Sequence, residues 1–274
     1  MPFRTPLRRH KRLRSILVGA LVLLAAAGGS GHAADSAAAV APMPAPLLPG
    51  IGKDDPRHPV RDDALPWRAL GKLQATSGNL YESCTGVLVG PELVLTAAHC
   101  VFNRRTQHNF PPGSLHFLLG YDRGRYVAHA LARRIEVGPG FDPQRPAATR
   151  GSDWALVTLD QPLGRGGRIL RMLPQPPAIG SRVMLGGYSQ DHPLLLLADT
   201  DCRILGRFAD GAGRALLLRH DCAGSHGVSG APLLIEQSGS WYVAAIDVAA
   251  ERGVAGGIAV LPDDAVVRAA AAMR

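Results

Sequence analysis

The sequence predicts an all-β protein made of two barrel-like halves, closed by one short C-terminal helix. Three observations carry this. Short apolar runs recur along most of the chain, and Gly, Pro, Asp and Asn separate them about every eight to fifteen residues. A helical pattern appears only at the end.

Taken in order, the strand-like runs are RALGKLQA, TGVLVG, LVLTAA, LHFLLG, RYVAHALARRIEV and WALVTL. After them come RVMLGGY, LLLLA, ALLLRH, PLLIEQ, WYVAAIDVAA and GGIAVL. About a dozen strands exceed what one small barrel uses. The stretch DQPLGRGGR, residues 160–168, is the natural joint between two barrels, placed at about 64–160 and 168–261. The last segment, 262–273, begins with Pro262, Asp263 and Asp264, which suit a helix start, and continues mostly in alanine.

The two ends of the chain differ from this texture. Residues 1–33 hold six basic residues (Arg4, Arg8, Arg9, Lys11, Arg12, Arg14) and no acid. They read as a signal peptide: basic RRHKRLR, apolar ILVGALVLLAAA, then small residues up to a cut after Ala33. A single-pass anchor is the alternative, but the apolar run is short for a bilayer. Residues 34–50, ADSAAAVAPMPAPLLPG, are Ala- and Pro-rich and read as a linker or pro-segment. The domain proper is 51–274. The formal charge of +8 resides mainly in the leader: without it 24 basic residues face 22 acidic ones. That balance removes the reason to expect a nucleic-acid partner. No other apolar stretch is long enough to span a bilayer, so stable membrane insertion is not expected after signal removal.

Export to a bacterial periplasm or the medium changes how four cysteines are read. An even count in an oxidising compartment means disulfides, and four cysteines allow three pairings. Cys84 with Cys100 and Cys202 with Cys222 are the local choices. A zinc site is the competing reading, but no C-x-x-C or H-x-x-x-H spacing supports it. No metal or organic cofactor is expected.

Three segments carry candidate chemistry. DCAGSHGVSGAPLL, residues 221–234, places Ser229 among glycines, which permit unusual backbone angles and expose N–H groups. The amides of Gly227 and Ser229 are candidates for an oxyanion hole. A serine hydroxyl needs a base, and the base an orienting acid. LTAAHC supplies His99, and GSDWALVTL supplies Asp153 at the mouth of an apolar strand, where a carboxylate must be paired. Each alone has an ordinary reading as a turn residue. Their joint order, each in a fitting context, points to nucleophilic catalysis.

LTAAHC, SDWALVTL and GVSGAP resemble the three signature blocks of trypsin-like serine peptidases of the chymotrypsin fold. IGKDDPRHPV…PWRALGKL and CTGVLVGP resemble the bacterial glutamyl-endopeptidase-like branch. The resemblance implies two six-stranded antiparallel barrels with the active site between them, and a bridge between Cys84 and Cys100. It implies Ser229 as nucleophile, His99 as base and Asp153 as orienting acid. Gly227 and Ser229 would supply the oxyanion amides. The expected function is peptide-bond hydrolysis by a monomeric secreted endopeptidase on protein or peptide substrates.

The chain also departs from that pattern. Where many members carry an aspartate that pairs with a newly released N-terminus, this chain has Val228, so removal of a pro-segment before Ile51 would not act through such a pair. The pocket base falls near Ala223 and Gly224, neither of which can pair with a basic side chain. The glutamyl branch uses a histidine where Asp247 stands, and a carboxylate there would repel an acidic side chain. Asp247 could attract a basic one or face solvent on an alternating strand. His226 lies beside the oxyanion segment, at the cleft or in an exposed loop. Two other functions stay open: a catalytically silent secreted binding protein of this fold, and an esterase, which would need a βα pattern absent here.

Overall fold

The computed structural model describes residues 48–272 apart from 78, 79, 212, 214 and 215. The expected signal segment, residues 1–33, and nearly all of the Ala/Pro-rich tract lie outside the described residues.

The first barrel consists of β1 (Leu70–Ser77), β2 (Leu80–Leu88), β3 (Leu93–Thr96), β4 (Leu115–Leu119), β5 (Ala128–Val137) and β6 (Ala155–Leu159). It closes in the order β1-β2-β3-β6-β5-β4, with β4 returning to β1 through the register Gly71↔Leu119 to Ala75↔Leu115. The second consists of β7 (Arg182–Gly187), β8 (Leu197–Ala209), β9 (Leu216–His220), β10 (Pro232–Gln237), β11 (Ser240–Ala250) and β12 (Gly257–Val260). Its order is β8-β7-β10-β11-β12-β9, and the β8–β9 pairing closes it. The fold is the one the sequence predicts: two closed six-stranded antiparallel barrels and a short helix, α1 (Asp264–Ala272). Among the described side chains of that helix, Val266 and Ala270, four apart, are the buried ones.

Each β-strand forms where apolar side chains can alternate or run unbroken into a barrel interior. β3 and β6 are buried along their whole length. β10 and β11 meet through the two-residue turn Ser238–Gly239, whose φ values of 50° and 74° match the strand twist. Two elements run beyond the expected pattern: β2 begins at Leu80, ahead of the run TGVLVG, and β8 extends further still. The run LLLLA ends at residue 198, but β8 continues to Ala209. Between Asp201 and Leu205 exposed and buried residues alternate, so Cys202 and Ile204 face inward while Asp201 and Arg203 face outward.

Two disulfides are present, Cys84–Cys100 with Cα atoms 6.0 Å apart and Cys202–Cys222 at 4.8 Å, which are the two local pairings. Among the described residues no helix is long and apolar enough to cross a membrane.

Candidate active site

The β3–β6 register explains why a histidine and an aspartate separated by 54 residues meet. These strands pair from Leu93↔Thr158 to Thr96↔Ala155. The chain just past the end of β3 therefore lies beside the chain just before β6. Past β3 a single 3-10 turn, Ala98–Val101, carries His99; before β6 another, Arg150–Ser152, delivers Asp153. Asp153 is buried, its side chain 8% exposed. It accepts the His99 backbone N–H at 2.9 Å and faces the ring Nδ1 at 2.8 Å. A carboxylate this buried is tolerable only with such partners. The Cys84–Cys100 bridge ties the histidine's turn to β2.

Burial alone would push the His99 imidazole down. The charge of Asp153, and the hydrogen bond to it, outweigh burial and raise the group above its ordinary value. With Nδ1 engaged, Nε2 is left for a reacting partner.

Ser229 comes from the other barrel. Its carbonyl accepts the Thr85 N–H at 3.0 Å, and the next amide, Gly230 N–H, donates to Asp247 O at 2.8 Å. The serine segment thus lies between β2 and β11. A side chain at Gly230 would collide with Thr96 Oγ1 and Thr85 O, so only glycine lets the backbone come this close. Thr85 fixes the preceding loop as well. Its Oγ1 donates to Gly227 O at 2.9 Å and accepts from Tyr188 N–H at 3.0 Å.

His99, Asp153 and Ser229 line one cleft of about 610 Å³. Among the described residues neither the Ser229 hydroxyl nor His99 Nε2 has a hydrogen-bond partner. Catalytic hydrogen bonds are often long before substrate arrives. Gly227 has φ +92°, and the amides of Gly227 and Ser229 donate to no described group, whereas Val228 N–H between them is held by Ser225 O at 3.1 Å. A turn with alternate amides free and the middle one engaged has the donor pattern an oxyanion hole requires.

The remaining pocket candidates fall into two kinds. Ala223 and Gly224 are buried and held by backbone hydrogen bonds, to Asp199 Oδ2 and Gly50 O respectively, both at 2.9 Å. His226 is an exposed loop residue that also lines the cleft. Asp247 lines it too, but is 5% exposed rather than solvent-facing, and Oδ1 accepts from His220 Nε2 at 3.0 Å. Its other carboxylate oxygen has no partner among the described residues. Around the cleft stand Arg104, Arg150 and Arg252, none ion-paired among the described residues. The groups of metal-ligand type that cluster are Cys84, His99 and Cys100, and Cys202, Asp221 and Cys222. In both, the sulfurs are disulfide-bonded and carry no thiolate to ligate an ion.

Sequence reasoning missed four contributors: Thr85, His220, and the pair Arg57–Asp191 behind the serine loop. Arg57 and Thr85 fall inside IGKDDPRHPV and CTGVLVGP, but nothing local there marks either as a site residue, and His220 and Asp191 lie in no motif.

The sequence profile of a trypsin-like peptidase domain matches residues 84–244. Glutamyl endopeptidase of Bacillus licheniformis is 27% identical over 192 residues, covering 69% of this chain and 55% of that protein. Clotting factor C of Tachypleus tridentatus is 29% identical over 151 residues, 50% of this chain and 14% of its own. The cercarial protease of Schistosoma mansoni is 34% identical over 122 residues, 39% of this chain and 44% of its own. The chain therefore spans only part of these relatives. Among solved structures, a Glu endopeptidase in complex with MPD superposes with a TM-score of 0.64 at 18% identity, covering 80% of this chain and 96% of that one.

Proposed function

Since the chain belongs to the trypsin-like peptidase family, we propose that it is an endopeptidase working through Ser229, His99 and Asp153 by way of an acyl-enzyme. The observation that carries this reading is the double contact of Asp153 with the backbone and ring of His99, in a cleft that Ser229 also lines. The mechanism follows from that geometry. Asp153 keeps the proton on Nδ1, so Nε2 accepts the Ser229 hydroxyl proton as the oxygen attacks the substrate carbonyl. The oxyanion forms against the Gly227 and Ser229 amides. The imidazolium then protonates the leaving amine, and water reverses the sequence to release the acid.

The pocket points to the side chain accepted before the cut. Ala223 and Gly224 contribute no charge, and His226 stands at the cleft's exposed edge. Apart from Asp153, Asp247 is the buried carboxylate that lines the cleft, and one of its oxygens has no partner among the described residues. A desolvated carboxylate there favours a lysine or arginine side chain over a glutamate. The arginines around the cleft, without ion-pair partners among the described residues, favour acidic residues elsewhere in the same substrate.

Disulfides at both local cysteine pairs fit an oxidising compartment, and the leader of residues 1–33 fits export to a periplasm or the medium. A fluorophosphonate probe tests the catalytic assignment directly. Covalent labelling at Ser229, lost in Ser229→Ala and in His99→Ala while both variants keep the wild-type melting temperature within a few degrees, is the expected result. Undiminished labelling or casein hydrolysis in Ser229→Ala would overturn it, and a folded wild type inert to probe and substrate would favour the silent-binder reading.

A further inference from the structure

The segment 48–60 is laid across the second barrel, and its contacts converge on the loop that carries the oxyanion amides. Gly50 N–H donates to Glu251 O at 2.6 Å, and Gly50 O accepts from Gly224 N–H at 2.9 Å and Gly256 N–H at 3.4 Å. A side chain at Gly50 would overlap Gly224 O. Ile51 is 6% exposed, and its N–H is an ordinary peptide donor to Leu48 O at 3.3 Å. Pro49 lines the cleft, and the carbonyl of the peptide linkage before Ile51 is held by Gly224 and Gly256.

A few residues on, His58–Pro59 pair with Leu197–Ala198 of β8, and this fixes Arg57 beside the loop 188–193. The Arg57 side chain is 2% exposed. Its guanidinium donates to Ser189 Oγ at 2.8 Å and to both Asp191 oxygens, at 3.2 and 2.5 Å; Asp55 takes the outer face at 2.8 and 2.9 Å. Asp191 in turn accepts the Ser225 hydroxyl at 3.1 Å, and Gln190 N–H donates to His226 O at 2.6 Å. From the first barrel Lys72, 2% exposed, reaches Pro193 O at 2.7 Å. The loop 188–193 is thus gripped by a buried cation near each end, and it grips Ser225 and His226 on its other side. Neither Arg57 nor Asp191 lines the cleft.

On the peptidase reading above, the oxyanion amides are useful only if Ser225–Ser229 holds one conformation. Position 228, a buried valine, provides no charge to fix it. Burial alone would raise the Asp191 carboxyl, yet the hydrogen bonds and charge of Arg57 hold it below the ordinary range, so the pair stays ionised.

We propose that Arg57 is a positioning residue: through Asp191 and Ser225 it fixes the loop bearing the Gly227 and Ser229 amides, and the enzyme is competent with the Gly50–Ile51 bond uncut. An internal guanidinium replaces a released amine, and no cleavage before Ile51 is needed to supply the charge.

Arg57→Gln, Arg57→Lys and Asp191→Asn in the full chain test this, with kcat, KM, the rate of fluorophosphonate labelling and melting temperature measured for each. Loss of an ordered oxyanion donor is worth about 10²–10³ in kcat. Arg57→Gln is expected to lower kcat about 100-fold with KM changed less than about threefold, below its melting temperature. Arg57→Lys should recover about tenfold of that loss. Adding Asp191→Asn to Arg57→Gln should cost nothing more, as members of one unit behave. If Arg57→Gln does not fold, the Lys and Asn variants give the same reading. Folded variants with lower melting temperature and unchanged kcat would make the pair merely structural and overturn the proposal. So would mass spectrometry finding activity only in chains that begin at Ile51. Failure of the wild type to label would instead defeat the peptidase reading, which keeps the two failures distinct.

Discussion

Replacing Gly227 with alanine separates what the backbone around the serine costs from what it does. Two penalties are built into that position. At φ +92° an alanine occupies a region that costs an L-residue about 1–2 kcal/mol. The stiffer unfolded chain returns about 0.4–1 kcal/mol of this. The added methyl also overlaps the Tyr188 carbonyl oxygen, a backbone atom that no rotamer change can move. Relief requires roughly a 1 Å shift of the loop, given ordinary contact distances near 3.5 Å. Such a shift takes the Gly227 N–H off the position where an oxyanion forms, a loss of about 2.7–4 kcal/mol, or 10²–10³ in kcat. Gly239→Ala is the matched control, with φ +74° and nothing within 4 Å of the new methyl. It should cost about 1 kcal/mol of stability, a few degrees in melting temperature, and leave kcat unchanged. Turnover of an ester substrate, normalised by active-site titration and set beside thermal unfolding, makes the comparison. A Gly227→Ala enzyme within threefold of wild-type kcat would refute the oxyanion assignment, as would a control equally impaired.

Two further predictions concern charge. His99 must be neutral to accept a proton, so activity should fall as pH drops through its raised value, giving an acid limb in kcat/KM above the ordinary 6.5 or so. The sign for stability is opposite: the His99–Asp153 ion pair stabilises the fold at low pH and its contribution is lost as pH rises through the folded-state value. Asp153→Asn removes the charge and leaves one acceptor oxygen where two now meet the His99 backbone and ring. The limb should move down and kcat fall about 10⁴-fold, and an unmoved limb would show that Asp153 does not govern the imidazole. In a peptide library, cleavage should fall after Lys and Arg, and Asp247→Asn should cut kcat/KM on those sites by roughly 10–100-fold, the worth of a charged hydrogen bond. Preference for Glu in the wild type would dismiss the pocket reading.

The elements legible in the sequence are those set by local pattern. Strand periodicity marked every barrel strand, because each buries a face that alternates or runs apolar. The longest extension is instructive: β8 runs through Asp199, Asp201 and Arg203, charged residues that keep it from reading as an apolar run although Cys202 and Ile204 point inward. His99, Asp153 and Ser229 stood out because glycines, a cysteine and a strand mouth lie next to them. Pairs made by topology left no such trace. Arg57 and Asp191 are 134 residues apart, and only the pairing of His58–Pro59 with β8 brings them together. His220 and Asp247 sit on β9 and β11, with β12 between them. They touch because Gly257 of β12 has no side chain to separate them, its missing Cβ falling 2.9 Å from Asp247 Oδ1 and 3.0 Å from the His220 ring. Nothing in the spacing of these residues announces a shared neighbour.

Thr85 has a mechanical consequence. This one residue of the first barrel holds the Ser229 carbonyl, the Gly227 carbonyl and the Tyr188 amide of the second. Together with Lys72, which reaches Pro193 O, it fastens the serine segment and its neighbouring loop to the barrel that carries His99 and Asp153, so all three side chains are referred to one frame.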